Sequence, residues 1–412
     1  MSAKTEAAFQ LLKHSPFAYF WTARVCTTTA FQMQVVAIGW QMYALTHSAM
    51  DLGWVGLAQF LPAFFLTLVV GQVADSFDRR RVAAVCQFIQ ASVIALLALG
   101  SWQGWLTREL IFALVVVVGA SRAFESPSMA ALLPSLVPNE VLPRAVSWSA
   151  SAVQAAFIMG PAIGGIVYVF GAAAVYCCSS VLFLIALISV LSIKSNAPPA
   201  KRDKVDLTSI FAGIHFIRRK PVVLGAISMD LFAVLLGGAT ALLPIYARDI
   251  LNIGPWGLGI LRSSPAVGAL LMSVYLTYRP IERRTGPIMF AAVAVFGVAT
   301  ILFGVSKSFW LSLAALFVLG AADMISVVIR SSLVQLETPD EMRGRVSAVN
   351  FLFIGTSNQL GEFESGITAA WWGAPMAVMV GGVGTLLVVA SWVFLFPALA
   401  RRDHLVKPVE KN

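Results

Sequence analysis

Five carboxylates lie inside long apolar stretches of the sequence, where an ionised side chain is costly unless it faces a partner or a water-filled path. They are Glu125, Asp230, Asp323, Glu362 and Glu364. A carboxylate that is neutral in an apolar site and ionised beside an arginine or a cationic cargo lets a proton and a substrate compete for it. The pattern predicts proton coupling, with an open alternative in which buried charges only neutralise each other.

Glu125 is the first candidate for the proton carrier. It lies one helical turn after Arg122 and shortly before Pro127, a spacing that places the acid and the arginine on one helix face. Glu362 and Glu364 are expected nearer the outer mouth of the protein. Arg262 and Arg330 are expected close enough to the ends of their apolar stretches to extend their charges to the membrane surface.

Composition places the chain in a bilayer. Hydrophobic residues make up 58% of the sequence and charged residues 12%, and the mean hydropathy is +0.82, which is the range of polytopic membrane proteins. The apolar stretches exceed the roughly 20 residues that cross about 30 Å of hydrocarbon. Twelve of them predict an all-α membrane protein, at 17–46, 50–73, 82–102, 109–136, 145–170, 174–193, 222–247, 255–278, 287–306, 309–335, 346–370 and 376–400.

The sequence repeats itself at a shift of about 200 residues. The matching pairs keep their order along the chain and include Tyr43-Ala44 with Tyr246-Ala247, Arg80-Arg81 with Arg283-Arg284, and Gly160 and Gly165 with Gly361 and Gly366. The repeat predicts two pseudo-symmetric six-helix bundles, residues 1–193 and 221–412, joined by a cytoplasmic linker at 194–220 that ends in an amphipathic helix. Transporters built from parallel halves bind substrate between them.

Equivalent positions in the two halves suggest two ion pairs. Arg122 is equivalent to Asp323, and Arg24 is equivalent to Asp230 to within one turn. Because equivalent helices of a duplicated fold face each other across the pseudo-twofold axis, each arginine is expected to pair with the aspartate of the other half. Whether such pairs act in transport or only neutralise charge stays open.

The basic residues report topology. Most of the 29 Lys and Arg fall in loops on one side of the predicted spans, which the positive-inside rule assigns to the cytoplasm together with both termini. Since these residues are scattered over many loops, the net charge of +9 requires no nucleic-acid partner. The basic residues Arg218, Arg219 and Lys220 that end the amphipathic helix are expected to meet anionic lipid headgroups.

The loop after the second span reads Gly71-Gln72-Val73-Ala74-Asp75-Ser76-Phe77-Asp78-Arg79-Arg80-Arg81. It resembles the loop between helices two and three of the major facilitator superfamily, although its last basic position matches less well. The resemblance implies the fold of that family, and it implies that Gly71, Asp75 and Arg79, followed by the basic Arg80, latch the cytoplasmic side shut. A loop that only fixes topology is the alternative.

In the fifth span, Gly160-Pro161-Ala162-Ile163-Gly164-Gly165 resembles part of the antiporter motif of facilitator exporters. Proline kinks a helix and glycines permit close helix packing, so ordinary packing is the alternative interpretation. Nearly the whole chain resembles the drug and siderophore exporter branch of the family. This resemblance implies a bacterial cytoplasmic membrane protein that exports amphipathic small molecules.

Polar amides and aromatic rings within the spans are weaker candidates for a substrate cavity. They are Gln32, Gln34, Asn358, Gln359, Phe124 and Phe232. Amides combined with aromatic rings suit an amphipathic molecule better than a sugar, although each such residue is more often a packing residue.

The sequence predicts a proton-coupled exporter that works by alternating access, as a monomer in contact with membrane lipids. Uptake symport and lipid translocation on the same fold are the alternatives. The four cysteines show no CxxC spacing, and the chain has no G-x-x-x-x-G-K-[ST] sequence. No cofactor, metal site, ATP site or enzymatic activity is therefore expected.

Overall fold

The computed structural model describes residues 15–193 and 207–405, and within its helices the side chains of residues 67–76, 207–211, 348 and 351 fall outside the described part. The α-helices in this part are α1 (Ser15–Thr46), α2 (Ala49–Ser76), α3 (Arg79–Gln103), α4 (Arg108–Leu132), α5 (Leu142–Val167), α6 (Ala172–Ser192), α7 (Leu207–Arg219), α8 (Pro221–Leu236), α9 (Leu243–Ile245), α10 (Gly254–Tyr278), α11 (Thr285–Val305), α12 (Phe309–Glu337), α13 (Asp340–Trp372), α14 (Ala374–Leu395) and α15 (Pro397–Ala400). The regular elements of the described residues are all helical, so the prediction of an all-α protein is confirmed.

Ten helical segments of the described residues are long and apolar enough to cross a membrane. The longest helices, α1 and α13, have 32 and 33 residues, which also suffices to span a bilayer. Twelve long segments are consistent with the twelve predicted spans, and the number itself stays a prediction. The predicted boundaries agree to within a few residues, with three exceptions: α13 begins at Asp340, six residues before the predicted start; α14 ends at Leu395, five residues before the predicted end; and the span 222–247 is interrupted after Leu236.

The chain divides into two compact units, which do not follow the order of the sequence throughout. The first unit comprises the described residues of Met1–His47, Ala58–Lys204 and Gly254–Ser263. The second comprises those of Ser48–Leu57, Val205–Ile253 and Ser264–Asn412. The first turns of α2 and of α10 thus belong to a different unit from the rest of their helices.

Large apolar side chains fill the interior of the first unit. Phe17 and Phe20 of α1 are fully buried and pack with Met129 of α4 and Val190 of α6. A side-chain cap marks the start of α3. The Asp78 side chain accepts a hydrogen bond from the Arg80 amide at the start of α3, which satisfies one of the free N–H groups of the first turn.

The C-terminal segment closes one end of the second unit. The amides of Thr285 and Gly286, at the start of α11, donate to the carbonyls of Asp403 and Arg402. The Arg402 guanidinium also donates to Glu337 at the end of α12, with an N···O distance of 2.8 Å. Residues 402–403 therefore satisfy free N–H groups at the start of α11 and link that helix end to the end of α12 through the Glu337 side chain.

The predicted span 222–247 is a broken helix. Helix α8 ends at Leu236, and a 3₁₀ turn (Ala239–Leu242), α9 and a π-helical turn (Tyr246–Ile250) follow. A side chain at Gly238 would overlap the backbone of Gly361 in α13. Glycine at the break therefore allows the two backbone segments to approach closely. Hydropathy could not show this interruption, since the residues on both sides of it are apolar.

Helix α7 lies at the predicted amphipathic segment, but its apolar face packs on protein. Ile217 is buried against Val346 and Val349 of α13. Gly213 faces the backbone of Arg345 at the same contact, and the three basic residues that end the segment are exposed. The part of the linker at residues 194–206 lies outside the described residues.

Candidate functional site

A buried carboxylate with two amide donors forms the polar centre of the first unit. Glu125 of α4 is 5% exposed. Its Oε2 accepts from Gln90 Nε2 at 2.8 Å, and its Oε1 accepts from Gln87 Nε2 at 3.3 Å. Both glutamines are fully buried on α3. Each carboxylate oxygen of Glu125 thus has one amide donor.

Two arginines of the same unit face this carboxylate. The charges of Arg24 and Arg122 both interact with that of Glu125. The Arg122 guanidinium also lies 3.4 Å from the centre of the Phe31 ring, which is a cation–π contact. The cluster of Arg24, Arg122 and Glu125 therefore holds one positive charge more than it holds negative charges when all three are ionised.

An ion pair occupies the core of the second unit. Arg330 of α12 pairs with Asp230 of α8, and the two side chains are 3% and 5% exposed. Two sequence expectations are thus wrong, because Asp230 pairs with Arg330 in place of Arg24, and Arg330 lies in the core instead of reaching the membrane surface. Removing either member of a buried ion pair is destabilising, because the remaining charge is left without compensation.

Asp323 is the third charge of this cluster. It is only partly exposed, and its charge interacts with those of Asp230 and Arg330. Asp230, Asp323 and Ser326 line a cavity of about 10 Å³ with five apolar side chains, which is about the space of one water molecule. Ser326 is 2% exposed, and its hydroxyl has no hydrogen-bond partner among the described residues. The proposed pairing of Asp323 with Arg122 stays a prediction.

The spacing of this cluster in the sequence could have revealed it. Asp323, Ser326 and Arg330 follow one another at three and four residues, which places them on one face of α12. Gln87 and Gln90 are likewise three residues apart on α3. The sequence interpretation missed Ser326 and the two glutamines and assigned Arg330 to the membrane surface, because it compared equivalent positions of the repeat instead of neighbours along one helix.

The remaining carboxylates lie on α13 in the second unit. Glu364 accepts from the Thr368 hydroxyl at 2.6 Å, a contact within one helical turn. The Glu362 carboxylate lies beside Gly56, in the part of α2 that belongs to this unit. Both acids are partly exposed, so they differ from the buried Asp230.

The cavity candidates fall in different surroundings. Gln34 is fully buried and its amide has no partner in the described part of the chain, while Gln32 is 9% exposed and contacts Gly160. Phe232 packs on Trp392 of α14 with ring centres 5.4 Å apart. Asn358 is exposed and Gln359 is partly exposed on α13. Phe124 lines a groove between α3 and α4.

The predicted latch is described only in part. The side chains of Gly71 and Asp75 lie outside the described residues, although both belong to α2. Arg79 donates to the Ala131 carbonyl at the end of α4, at 3.0 Å. Arg80 donates to the Ile193 carbonyl at the end of α6. Arginines at these places stabilise two helix C-termini, whose carbonyls carry partial negative charge.

The glycines of the antiporter motif bring α5 against α1. A Cβ atom at Gly164 would lie 2.9 Å from the Met33 Cα, and one at Gly160 would lie 2.6 Å from the Gln32 Cβ. Gly165 instead faces Gly259, in the part of α10 that belongs to the same unit. Pro161 is buried inside α5. The glycines therefore permit a close approach of the two helices.

We expect Gly164→Ala to destabilise the protein by about 1–3 kcal/mol, because the new methyl group overlaps the α1 backbone. Gly344→Ala is the matched control, since a Cβ atom there has no neighbour within 4 Å and alanine favours helix. Thermal denaturation of the two purified variants makes the comparison. Equal transition temperatures would contradict close packing at Gly164.

Within the described residues, no three His, Cys, Asp or Glu side chains are grouped so that they could hold a metal ion. The polar clusters are built from acids, arginines, amides and one hydroxyl. The acids can bind and release protons, and the arginines, amides and hydroxyl can bind polar ligands.

Comparison with known proteins agrees with this architecture. Residues 6–408 match the family described as transmembrane secretion effector. The enterobactin exporters EntS of Shigella boydii serotype 18 and of Escherichia coli O157:H7 are each 25% identical over 398 residues, covering 92% of this chain and 91% of the relative.

Solved structures share the fold. A bacterial homologue of the iron transporter ferroportin, in an inward-facing state, has a TM-score of 0.70 at 17% identity and covers 95% of this chain and 100% of its own. The nucleoside transporter NupG has a TM-score of 0.70 at 14% identity, over 92% of this chain and 99% of its own. These findings confirm the resemblance to the major facilitator superfamily. The chain belongs to the transmembrane secretion effector family, and it is a multi-pass secondary transporter of the bacterial inner membrane with a role in efflux and not an enzyme.

Proposed function

We propose that the protein exports an amphipathic small molecule, a drug or a siderophore, in exchange for protons by alternating access. The observation that carries the proposal is the cluster of Asp230, Asp323 and Arg330 inside the second unit. Ionisable groups within membrane helices usually mark ion or substrate paths, because burying them without such a use is costly.

Asp323 is the better candidate for the proton carrier, ahead of Glu125. The two oxygens of Glu125 accept hydrogen bonds from Gln87 and Gln90, so a proton on Glu125 would displace one of these donors. Asp323 has a second carboxylate beside it, and Arg330 is already bound to that carboxylate. Since like charges that lie close together disfavour the ionised form, Asp323 is the acid that a proton would neutralise with the least loss of hydrogen bonding.

The cargo is proposed from the charge of the first cluster and from the relatives. The cluster of Arg24, Arg122 and Glu125 has an excess positive charge, and Arg122 lies over an aromatic ring. This combination suits a molecule with aromatic or apolar parts and with oxygen acceptors. The relatives are named as exporters of enterobactin, which makes a siderophore of that kind the first cargo to test.

The remaining features of the proposal come from the sequence. Both termini lie in the cytoplasm, as the basic loops indicate. The halves 1–193 and 221–412 move about the linker at 194–220, and the loop with Gly71, Asp75, Arg79 and Arg80 latches one state. The transporter works as a monomer surrounded by membrane lipids and needs protons as its coupling ion.

We expect inside-out vesicles with an acidic interior to accumulate an enterobactin-type siderophore when they contain the protein. One pH unit stores about 1.4 kcal/mol per proton and so supports about tenfold accumulation per proton exchanged. The measurement is uptake of the labelled siderophore, and of a lipophilic cation, before and after the gradient is collapsed.

Vesicles without the protein are the control. Accumulation only in right-side-out vesicles with an acidic exterior would contradict export and favour uptake by symport. Movement of labelled phospholipid between leaflets, with no accumulation of either cargo, would favour lipid translocation.

A further inference from the structure

A long groove lies between α3 and α4 in the first unit. Its volume is about 590 Å³, which is in the range of sites that hold small molecules. Its walls are mainly apolar and are formed by Val82, Val85, Ile89, Val117 and Phe124, among others. Val85 and Val117 are 58% and 40% exposed, so the groove is open along its side. In a protein that crosses a membrane, this opening faces hydrocarbon.

The length of the groove suits one membrane leaflet. Its lining on α3 extends from Arg81 to Ile89, which is about 12 Å along a helix axis at 1.5 Å per residue. Half of the hydrocarbon thickness of a bilayer is about 15 Å. An acyl chain that begins at the membrane surface beside Arg81 would therefore lie along most of the groove.

Among the described residues that line the groove, Arg81 is the cation at its mouth, and the acidic Asp78 lies beside it. Arg79 and Arg80 donate to the carbonyls of Ala131 and Ile193, whereas the Arg81 side chain is 80% exposed. Its ion pair with Asp78 is loose, with an N···O distance of 3.8 Å. Asp78 is held by its hydrogen bond to the Arg80 amide. The Arg81 contact uses the other oxygen of Asp78 and is longer than a hydrogen bond, so the mostly exposed guanidinium can reach a phosphate at the membrane surface.

We propose that this groove is a binding site for one anionic phospholipid, with an acyl chain along α3 and α4 and the phosphate on Arg81. The guanidinium supplies several donors in a plane, which matches phosphate oxygens. The inner leaflet of the membrane, where the basic loops place Arg81, is rich in anionic lipid.

A second groove provides an internal comparison. It lies between α11 and α12 in the second unit, has a volume of about 330 Å³, and is lined by Val298 and eight other residues that are all apolar. Since its described lining has no charged side chain, lipid there should show no preference for a headgroup. A preference for anionic lipid is therefore expected only at the first groove, where Arg81 lies, and hydrocarbon filling of an apolar surface does not produce it.

Native mass spectrometry of the full-length protein in detergent tests the proposal, with dioleoyl phosphatidylglycerol, phosphatidylethanolamine and phosphatidylcholine added in turn. We expect the tightest site to bind phosphatidylglycerol about tenfold more strongly than the two zwitterionic lipids, the factor given by one charge-assisted contact. Arg81→Ala should remove this preference. Arg283→Ala, at an exposed arginine in the equivalent loop of the second half, should retain it.

Filling the groove provides the second measurement. Val85→Trp should weaken binding of all three lipids at the tightest site, whereas Val298→Trp, in the apolar groove, should leave the preference for phosphatidylglycerol unchanged. Equal binding of the three lipids to the unmodified protein would overturn the proposal. A preference that survives Arg81→Ala, or tight binding that survives Val85→Trp, would also overturn it. These outcomes do not depend on the direction of transport or on its cargo.

Discussion

Arg330→Met is expected to destabilise the protein by about 3–5 kcal/mol, the cost of leaving one member of a buried ion pair without its partner. Arg330 and Asp230 are almost completely buried, and Asp323 adds a further negative charge beside them. Removal of the guanidinium therefore leaves two carboxylates in an apolar interior. Equilibrium unfolding of the purified protein in mixed micelles measures the loss.

Two further variants separate this effect from a general effect of arginine replacement. Arg343 pairs with Asp340 at the start of α13, where the two side chains are 49% and 86% exposed, so Arg343→Met should cost no more than about 1 kcal/mol. Adding Asp230→Asn to Arg330→Met should recover part of the lost stability, because the carboxylate that had paired with Arg330 is then replaced by an uncharged amide. An Arg330→Met protein as stable as the Arg343→Met protein would refute the pairing.

The helical architecture could be predicted because each membrane span is a continuous apolar stretch of the sequence. Each apolar stretch must cross the bilayer with its backbone bonded internally, which leaves an α-helix as the available element. The break at Gly237 and Gly238 was not predicted, because the residues on both sides of it are apolar. The backbone of Gly361 approaches Gly238 closely at this break.

The buried charges could be identified, but their partners could not. A repeat in the sequence shows which positions are equivalent, and equivalence does not decide which side chains touch. Asp230 found its partner two helical turns beyond Asp323 on α12. Glu125 accepts hydrogen bonds from two glutamines of the neighbouring helix α3. Because glutamine is uncharged, a search for oppositely charged partners does not find it. The packing of helices within one unit determined these contacts.

The interpretation of the arginine loop also changed once neighbours were known. The sequence alone does not distinguish the three consecutive arginines, because they are the same residue type. In the structure Arg79 and Arg80 bind the ends of α4 and α6, while Arg81 is exposed at the mouth of a groove. The difference arises because successive helical residues point about 100° apart. Arg79 and Arg80 therefore bind carbonyl groups at helix ends, whereas Arg81, of the same residue type, remains exposed.

Asp323→Asn is expected to abolish accumulation of cargo driven by a pH gradient, while the protein still folds and still exchanges cargo across the membrane. The amide keeps the size and much of the polarity of the acid but cannot take up and release a proton at physiological pH. In inside-out vesicles the variant should therefore lose the roughly tenfold accumulation that each pH unit supports per exchanged proton. Exchange of labelled for unlabelled cargo, without a gradient, should persist within about threefold.

Glu125→Gln is the matched comparison for this variant. An amide at Glu125 would direct its own N–H group at the amides of Gln87 or Gln90, which now donate to the carboxylate. Its main cost should therefore be stability, about 1–3 kcal/mol for a mismatched buried polar contact, and the folded fraction should still respond to the gradient. If gradient-driven accumulation survives in Asp323→Asn and is lost in well-folded Glu125→Gln, then Glu125 carries the proton and Asp323 only balances the charge of Arg330.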